Sequence, residues 1–202
     1  MKKSLLLLLF FFLSACEQSN PPVFNKLAQE AVILAFGDSL TYGTGATKGG
    51  NYPSVLSSIS QHKVINAGIP GEISRHGLTR LPALLDKHKP ELLILIHGGN
   101  DMLKKIPQQD TANNLKQMIS EAKQRDIKVV MLGVPTPRLF LLSSAEFYQQ
   151  IADEHDIPID LETIPRILGE NNLKSDIIHP NNAGYKLMAD NIFGLLVDTG
   201  AL

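Results

Sequence analysis

The chain of 202 residues has no tryptophan and a single cysteine. One cysteine makes neither an internal disulfide nor a thiolate metal site. Without tryptophan there is no evident aromatic platform for a polysaccharide. An excess of charge of one sign is also missing: 19 Lys and Arg face 20 Asp and Glu, for a formal net charge of −1. No basic run exceeds two residues, so the cationic stripe of a nucleic-acid groove is absent and no nucleic-acid partner is expected. His62, His76, His88 and His155 lack the spacing of metal ligands. Gly43, Gly45, Gly49 and Gly50 suggest a phosphate loop, but no Gly-Lys-Ser/Thr follows them; they read as a flexible loop. No cofactor or metal is called for. What remains is globular: 44% hydrophobic and 19% charged, with 15 Gly and 12 Pro. That composition fits neither disorder, collagen nor a coiled coil, and the length suits one domain with its own core.

The N-terminus reads as an address. Lys2 and Lys3 precede an unbroken run of nine Leu and Phe over residues 5–13. Such a run is too short to span roughly 30 Å of hydrocarbon but suits the apolar core of a secretory signal. Small residues Ser14 and Ala15 follow, then the lone Cys16. Leu13-Ser14-Ala15-Cys16 resembles the bacterial lipobox, which implies cleavage before Cys16 and acylation of its thiol. More than one acyl chain gives stable anchoring. Glu17, rather than Asp, after the Cys fits outer-membrane sorting by the same resemblance. The expected organisation is a lipoprotein signal over residues 1–15, lipidated Cys16 and a tether over 16–30, and one folded domain over 31–202. The expected location is the bacterial cell envelope, held to a membrane through the N-terminal lipid and facing the periplasm.

From residue 31 onward, short apolar runs alternate with helical patterns. Residues 31–36 and 92–96 read as buried parallel strands, 63–67 as a weaker one, and 127–134 as a fourth. Residues 157–160 read as a short edge strand, because Pro158 lacks a ladder donor. Helical spacing links Leu78, Leu81, Leu84 and Leu85; Leu115, Met118, Ile119 and Ala122; Phe147 and Ile151; and Tyr185, Met188, Ile192 and Leu195. Asp110 is placed to cap the helix of Leu115, with Asn113 three positions on. The pattern predicts an α/β fold: three layers, α-β-α, doubly wound (flavodoxin-like) around a five-stranded parallel sheet.

In such sheets ligands bind beyond the carboxyl ends of the strands. The polar motifs lie there: Gly37-Asp38-Ser39 after the first run, Asn66 and Gly68 at the second, Gly98-Gly99-Asn100-Asp101 after the third, and Asp176 and His179 before the last helix. Singly, each has an ordinary reading as a cap, a turn or a packed histidine. Together they suit acyl transfer. A serine hydroxyl needs a base to take its proton, and a histidine, with a reference pKa of about 6.5, supplies one near neutral pH. A carboxylate fixes the tautomer, and Asp176 is close enough in sequence to share a turn with His179. Preorganised donors must meet the oxyanion: the Ser39 N–H, the Asn100 amide and a glycine N–H of the 66–71 block. Asp38 and Asp101 read as structural. His97 either lines the site or packs beneath it.

Phe36-Gly37-Asp38-Ser39-Leu40-Thr41, the Asn66 to Gly71 block, Gly98-Gly99-Asn100-Asp101 and Asp176-Ile-Ile-His179-Pro180 resemble the four sequence blocks of the SGNH, or GDSL, hydrolases. The likeness spans roughly residues 31–196 and comes nearest to the bacterial thioesterase/lysophospholipase/arylesterase subgroup. It implies a Ser39, Asp176, His179 triad, an oxyanion hole of Ser39, Gly71 and Asn100, and Gly71 rather than Gly68 as the glycine donor. It also implies a serine esterase acting on small acyl esters, acyl thioesters or lysophospholipids through an acyl-enzyme. Carbohydrate or peptidoglycan O-deacetylation is the alternative within enzymes, and a non-catalytic envelope lipoprotein the alternative outside them. An apolar wall for the acyl group is expected from residues 139–142 or from Met102, Leu103 and Ile106; the first set reads equally well as helix core.

Overall fold

The computed structural model describes residues 23–136 and 143–202. The expected residues 139–142, and the whole signal and lipobox, lie outside the described residues. Five strands form one parallel sheet: β1 (Val32–Gly37), β2 (Lys63–Gly68), β3 (Leu92–Ile96), β4 (Lys128–Leu132) and β5 (Ile159–Asp160), in the order β2-β1-β3-β4-β5. The chain steps outward from β1 to β2 and then crosses back to β3 on the other side. Right-handed crossovers therefore put helices on both faces, with the switch point between β1 and β3. The fold is the predicted α/β sandwich.

Eight α-helices are described: α1 (Ser39–Tyr42), α2 (Tyr52–Ser60), α3 (Ser74–His88), α4 (Gly99–Leu103), α5 (Gln108–Lys123), α6 (Glu146–His155), α7 (Thr163–Gly169) and α8 (Asn182–Asp198), with a 3-10 turn over Asn171–Leu173. Helices α2, α7 and α8 pack as one layer; α3, α5 and α6 pack as the other. β3 is buried at every position because sheet neighbours flank it and helices cover it, whereas β2 lies at an edge and is only half-buried. Leu115, Met118 and Ile119 are buried as their spacing requires.

Two expectations need correction. Asp110 does not cap α5. The helix begins at Gln108 behind Pro107, with no side-chain cap, so Asp110 falls in its first turn, where its charge meets the positive end of the helix dipole. Nor is the whole of 16–30 a tether. Phe24 N–H donates to Thr199 O (2.7 Å) and Leu27 N–H to Ala201 O (2.8 Å). Leu27 is buried, and His62 Nε2 lies 3.2 Å from Ala28 O. From Phe24 onward the described chain is thus bonded to the residues that follow α8, with Leu27 and Ala31 buried in the core. This root lies at the end of α8 remote from Asn182, and so away from the strand ends where the polar motifs gather.

Candidate active site

Asp38, at the end of β1, turns the chain into α1 and caps it, its Oδ1 accepting from Leu40 N–H (3.1 Å). Its Oδ2 accepts from Asn100 Nδ2 (3.1 Å). The side chain is buried, and burial pushes its carboxyl pKa up. Its expected structural role holds, and Asp101 follows suit: buried, it accepts from the Ser74 N–H (2.8 Å) and hydroxyl (2.5 Å) and so ties α4 to the start of α3.

Ser39, the first residue of α1, sits partly open beside His179, from which it is separated by 140 positions in sequence. His179 Nε2 lies 3.1 Å from Ser39 Oγ, and His179 Nδ1 lies 2.8 Å from Asp176 Oδ2. A carboxylate only accepts, so Nδ1 carries the ring proton and Nε2 offers its lone pair to the serine O–H. The other Asp176 oxygen accepts from the Ile178 (2.8 Å) and His179 (2.9 Å) N–H groups, closing the turn. Burial works against the Asp176 charge. The bonds from the His179 ring and from these amides outweigh it, and its carboxyl lies below the ordinary value. Tyr185 O–H donates to Thr44 O (2.9 Å), bracing the loop after α1. That loop is pinned rather than flexible: Thr47 N–H donates to Asn182 Oδ1 (2.9 Å), and Asn182 Nδ2 donates back to Thr47 Oγ1 (2.9 Å).

The two glycines of the second block differ in kind. A Cβ on Gly68 would stand 2.1 Å from the Tyr42 backbone nitrogen, so Gly68 is there for packing. Gly71 has φ +76° and nothing within 4 Å of where a Cβ would be. It lines the same cleft as Ser39, Asn100 and His179, and its N–H finds no acceptor among the described residues. Gly68→Ala is therefore expected to lower the melting temperature sharply or yield insoluble protein. Gly71→Ala should fold, at a left-handed cost of about 1–2 kcal/mol, and lose kcat/KM because its methyl group projects into the cleft. Equal stability losses in thermal melts of the two variants would refute the distinction.

Asn100, in the first turn of α4, spends both amide hydrogens within the protein, one on Asp38 and one on Glu72 O (3.0 Å). His97 is the packed residue rather than a lining one: it is buried, with Nε2 3.2 Å from Glu72 Oε2. Neither Glu72 nor Arg80 stands out in the sequence, yet Arg80 Nε donates to Glu72 Oε1 (2.7 Å) and its Nη2 to Oε2 (2.6 Å). Burial opposes the Glu72 charge, but bonds from His97 and Arg80 prevail and hold its carboxyl at about 2, from an ordinary 4.5. A depressed folded-state pKa contributes stability that is complete above the unfolded value and lost as pH falls toward the folded one. Wild-type stability should thus fall between pH 4.5 and about 2 more steeply than that of Glu72→Gln, as read from urea unfolding midpoints across that window.

The cleft above these groups has a volume of about 750 Å³ and is walled largely by apolar side chains, among them Leu40, Leu103, Val134, Leu168, Ile177 and Ile178. Of the expected Met102, Leu103 and Ile106, only Leu103 is among the lining residues, while Met102 packs against the core. Ile177, 85% exposed, overhangs the mouth. A hydroxyl within 3.1 Å of a histidine nitrogen, with Gly71 and Asn100 lining the same cleft and an apolar trough beside it, can bind an acyl chain and attack its carbonyl.

The profile of the GDSL-like Lipase/Acylhydrolase family matches residues 35–187. The chain is 31% identical over 176 residues to Thioesterase 1/protease 1/lysophospholipase L1 of Escherichia coli, covering 82% of this chain and 83% of that one. It is 29% identical over 185 residues to Esterase TesA of Pseudomonas aeruginosa, covering 84% and 91%. Its fold superposes on a crystal structure of TesA with a TM-score of 0.72 at 26% identity, over 83% of this chain and 99% of that one. With a profile match along most of the domain and more than 30% identity to a relative over four fifths of the chain, this protein belongs to the GDSL-like lipase/acylhydrolase family and is a serine hydrolase of ester bonds.

Proposed function

We propose that Ser39 is the nucleophile, His179 the general base and acid, and Asp176 the carboxylate that orients it, with the Ser39 and Gly71 N–H groups and the Asn100 amide receiving the oxyanion. The single observation that carries this reading is the unbroken Ser39–His179–Asp176 chain of contacts, 3.1 and 2.8 Å long, opening onto an apolar cleft. Ser39 Oγ attacks the acyl carbonyl as its proton passes to His179 Nε2. The tetrahedral intermediate collapses, and His179 delivers that proton to the leaving alcohol or thiol. Water then attacks the acyl-enzyme, losing a proton to His179, and the acid leaves as Ser39 regains its hydrogen.

The preferred substrates are acyl esters, acyl thioesters or lysophospholipids with chains long enough to fill the trough. The apolar walls support this choice over O-deacetylation, since an acetyl group leaves them unused. Rates across p-nitrophenyl esters from acetyl to dodecanoyl, with matching acyl thioesters and lysophospholipids, test it. A rise with chain length is expected, and preference for acetyl over octanoyl would favour the deacetylase reading.

The N-terminal residues support anchoring through an acylated Cys16 in the bacterial envelope, with the domain rooted near Phe24 on the periplasmic side. Mass spectrometry of protein extracted from native membranes should find the mature chain beginning at acylated Cys16; an unacylated N-terminus would refute the anchor.

A further inference from the structure

Beneath the cleft, one guanidinium, one carboxylate and one imidazole join the ends of three strands. Arg80, from α3, grips Glu72 with Nε and Nη2, and the same Nη2 reaches Ala67 O (2.9 Å) on β2 and Gly37 O (3.2 Å) on β1. The guanidinium lies 4.1 Å over the Phe36 ring of β1, an added attraction for a planar cation. His97, just past β3, completes the group. Gly98 N–H donates to its Nδ1 (3.0 Å), so its proton sits on Nε2 and points at Glu72 Oε2. Tyr148 O–H holds the His97 carbonyl (2.7 Å).

Each strand end in this group leads to one oxyanion donor. Gly37 is two residues before Ser39, Ala67 leads through Gly68 to Gly71, and His97 leads through the two glycines to Asn100. Glu72 is the shared member: it follows Gly71 directly, and its own carbonyl accepts from Asn100 Nδ2 (3.0 Å). We propose that Arg80, Glu72 and His97 form a positioning clamp that sets the oxyanion donors relative to one another. This inference rests on the mechanism given above and adds residues that touch no reacting atom. The donors stabilise the transition state because they are aimed before charge develops. Neither Gly71 nor Asn100 lies in a long element: one is in a loop, the other in a helix of five residues. Something outside the sheet's own bonding must hold them, and the buried clamp does so with charge-assisted bonds.

The test uses Glu72→Ala, Arg80→Met and His97→Leu in the whole enzyme, with kcat and KM for p-nitrophenyl butyrate, melting temperature, and Ki for an alkyl trifluoromethyl ketone. The ketone adds to Ser39 and presents an oxyanion. A displacement of about 1 Å at such a site costs on the order of a hundredfold. The clamp predicts that Glu72→Ala loses kcat by roughly that factor with KM within about threefold, and that ketone Ki rises in proportion to the kcat loss. His97→Leu should do the same to a lesser degree. Because Glu72→Ala leaves a partly buried cation unpaired and is the variant most prone to unfold, the double variant Glu72→Leu with Arg80→Met serves as the second probe: it should fold, since apolar replacement of a buried pair is tolerated, yet remain as slow as the single variant. Unchanged kcat in a folded variant, or a fall in melting temperature with KM and kcat/KM moving together and ketone Ki flat, would overturn the clamp. An inactive wild type would instead overturn the mechanism on which it stands.

Discussion

Ser39→Ala is expected to reduce hydrolysis of p-nitrophenyl esters by at least about 10⁴-fold while leaving the fold intact. As the proposed nucleophile, the hydroxyl is the group that would form the covalent bond to the acyl carbon, with His179 Nε2 3.1 Å away to take its proton. With it gone, His179 can only assist a water molecule that nothing in the cleft holds in line. The structural cost is small because the backbone of residue 39 does the local work: its carbonyl accepts from Gly43 (3.0 Å) and Thr44 (3.1 Å) N–H, and both bonds survive the change. The hydroxyl itself is partly exposed. Matched circular dichroism and melting curves with no burst of p-nitrophenol are the expected results. Turnover near that of the wild type would end the nucleophile assignment.

Asn100→Ala is the second large effect. Removing one side-chain donor from an oxyanion hole typically costs 10²–10³ in kcat, about 2.7–4 kcal/mol. Here the consequence has two parts. The amide proposed to meet the oxyanion is bonded in the resting enzyme to Asp38 Oδ2 and Glu72 O, so in that role a developing negative charge has to share or draw away one of its hydrogens. The same truncation leaves the buried Asp38 carboxyl with the Leu40 N–H alone among the described residues, and removing the partner of a buried polar group lowers stability. The variant should therefore lose kcat by the stated factor with little change in KM, and melt earlier. Loss of stability with kcat within fivefold of wild type would reduce Asn100 to a support for Asp38.

The sheet was legible because parallel strands buried on both faces are written as unbroken apolar runs. β3, at residues 92–96, matches its run to the residue, and the central position of β3 is why. The fourth and fifth apolar runs extend beyond their strands. Residues 133–134 and 157–158 continue the apolar pattern but lie outside β4 and β5; Gly133 N–H still donates to Asp160 O (2.8 Å), and Pro158 contributes only its carbonyl, to Met131 N–H (3.1 Å). Helices α1 and α4 span four and five residues, too few to show a period; their starts are set by the Asp38 cap and by Gly98 at φ +103°. Glu72 and Arg80 carry no local signal for a similar reason. Their partners are up to 43 positions away, and a polar residue on a helix flank looks the same in sequence whether it faces water or a buried carboxylate.

The order and residue types of the sequence alone determined an alternating parallel fold and the polar motifs after its first three strands and before its last helix, and they singled out Ser39, Asp176 and His179 as candidates. Those features are local, set by runs, turns and neighbouring side chains. What only the tertiary structure decided is that positions 39 and 179 meet at 3.1 Å, that Gly71 opens to the cleft while Gly68 is packed shut, and that Arg80, Glu72 and His97 bind three strand ends together. These depend on which carboxyl ends the sheet order makes neighbours, and pairing across such separations is fixed by packing of the whole domain rather than by any segment of it.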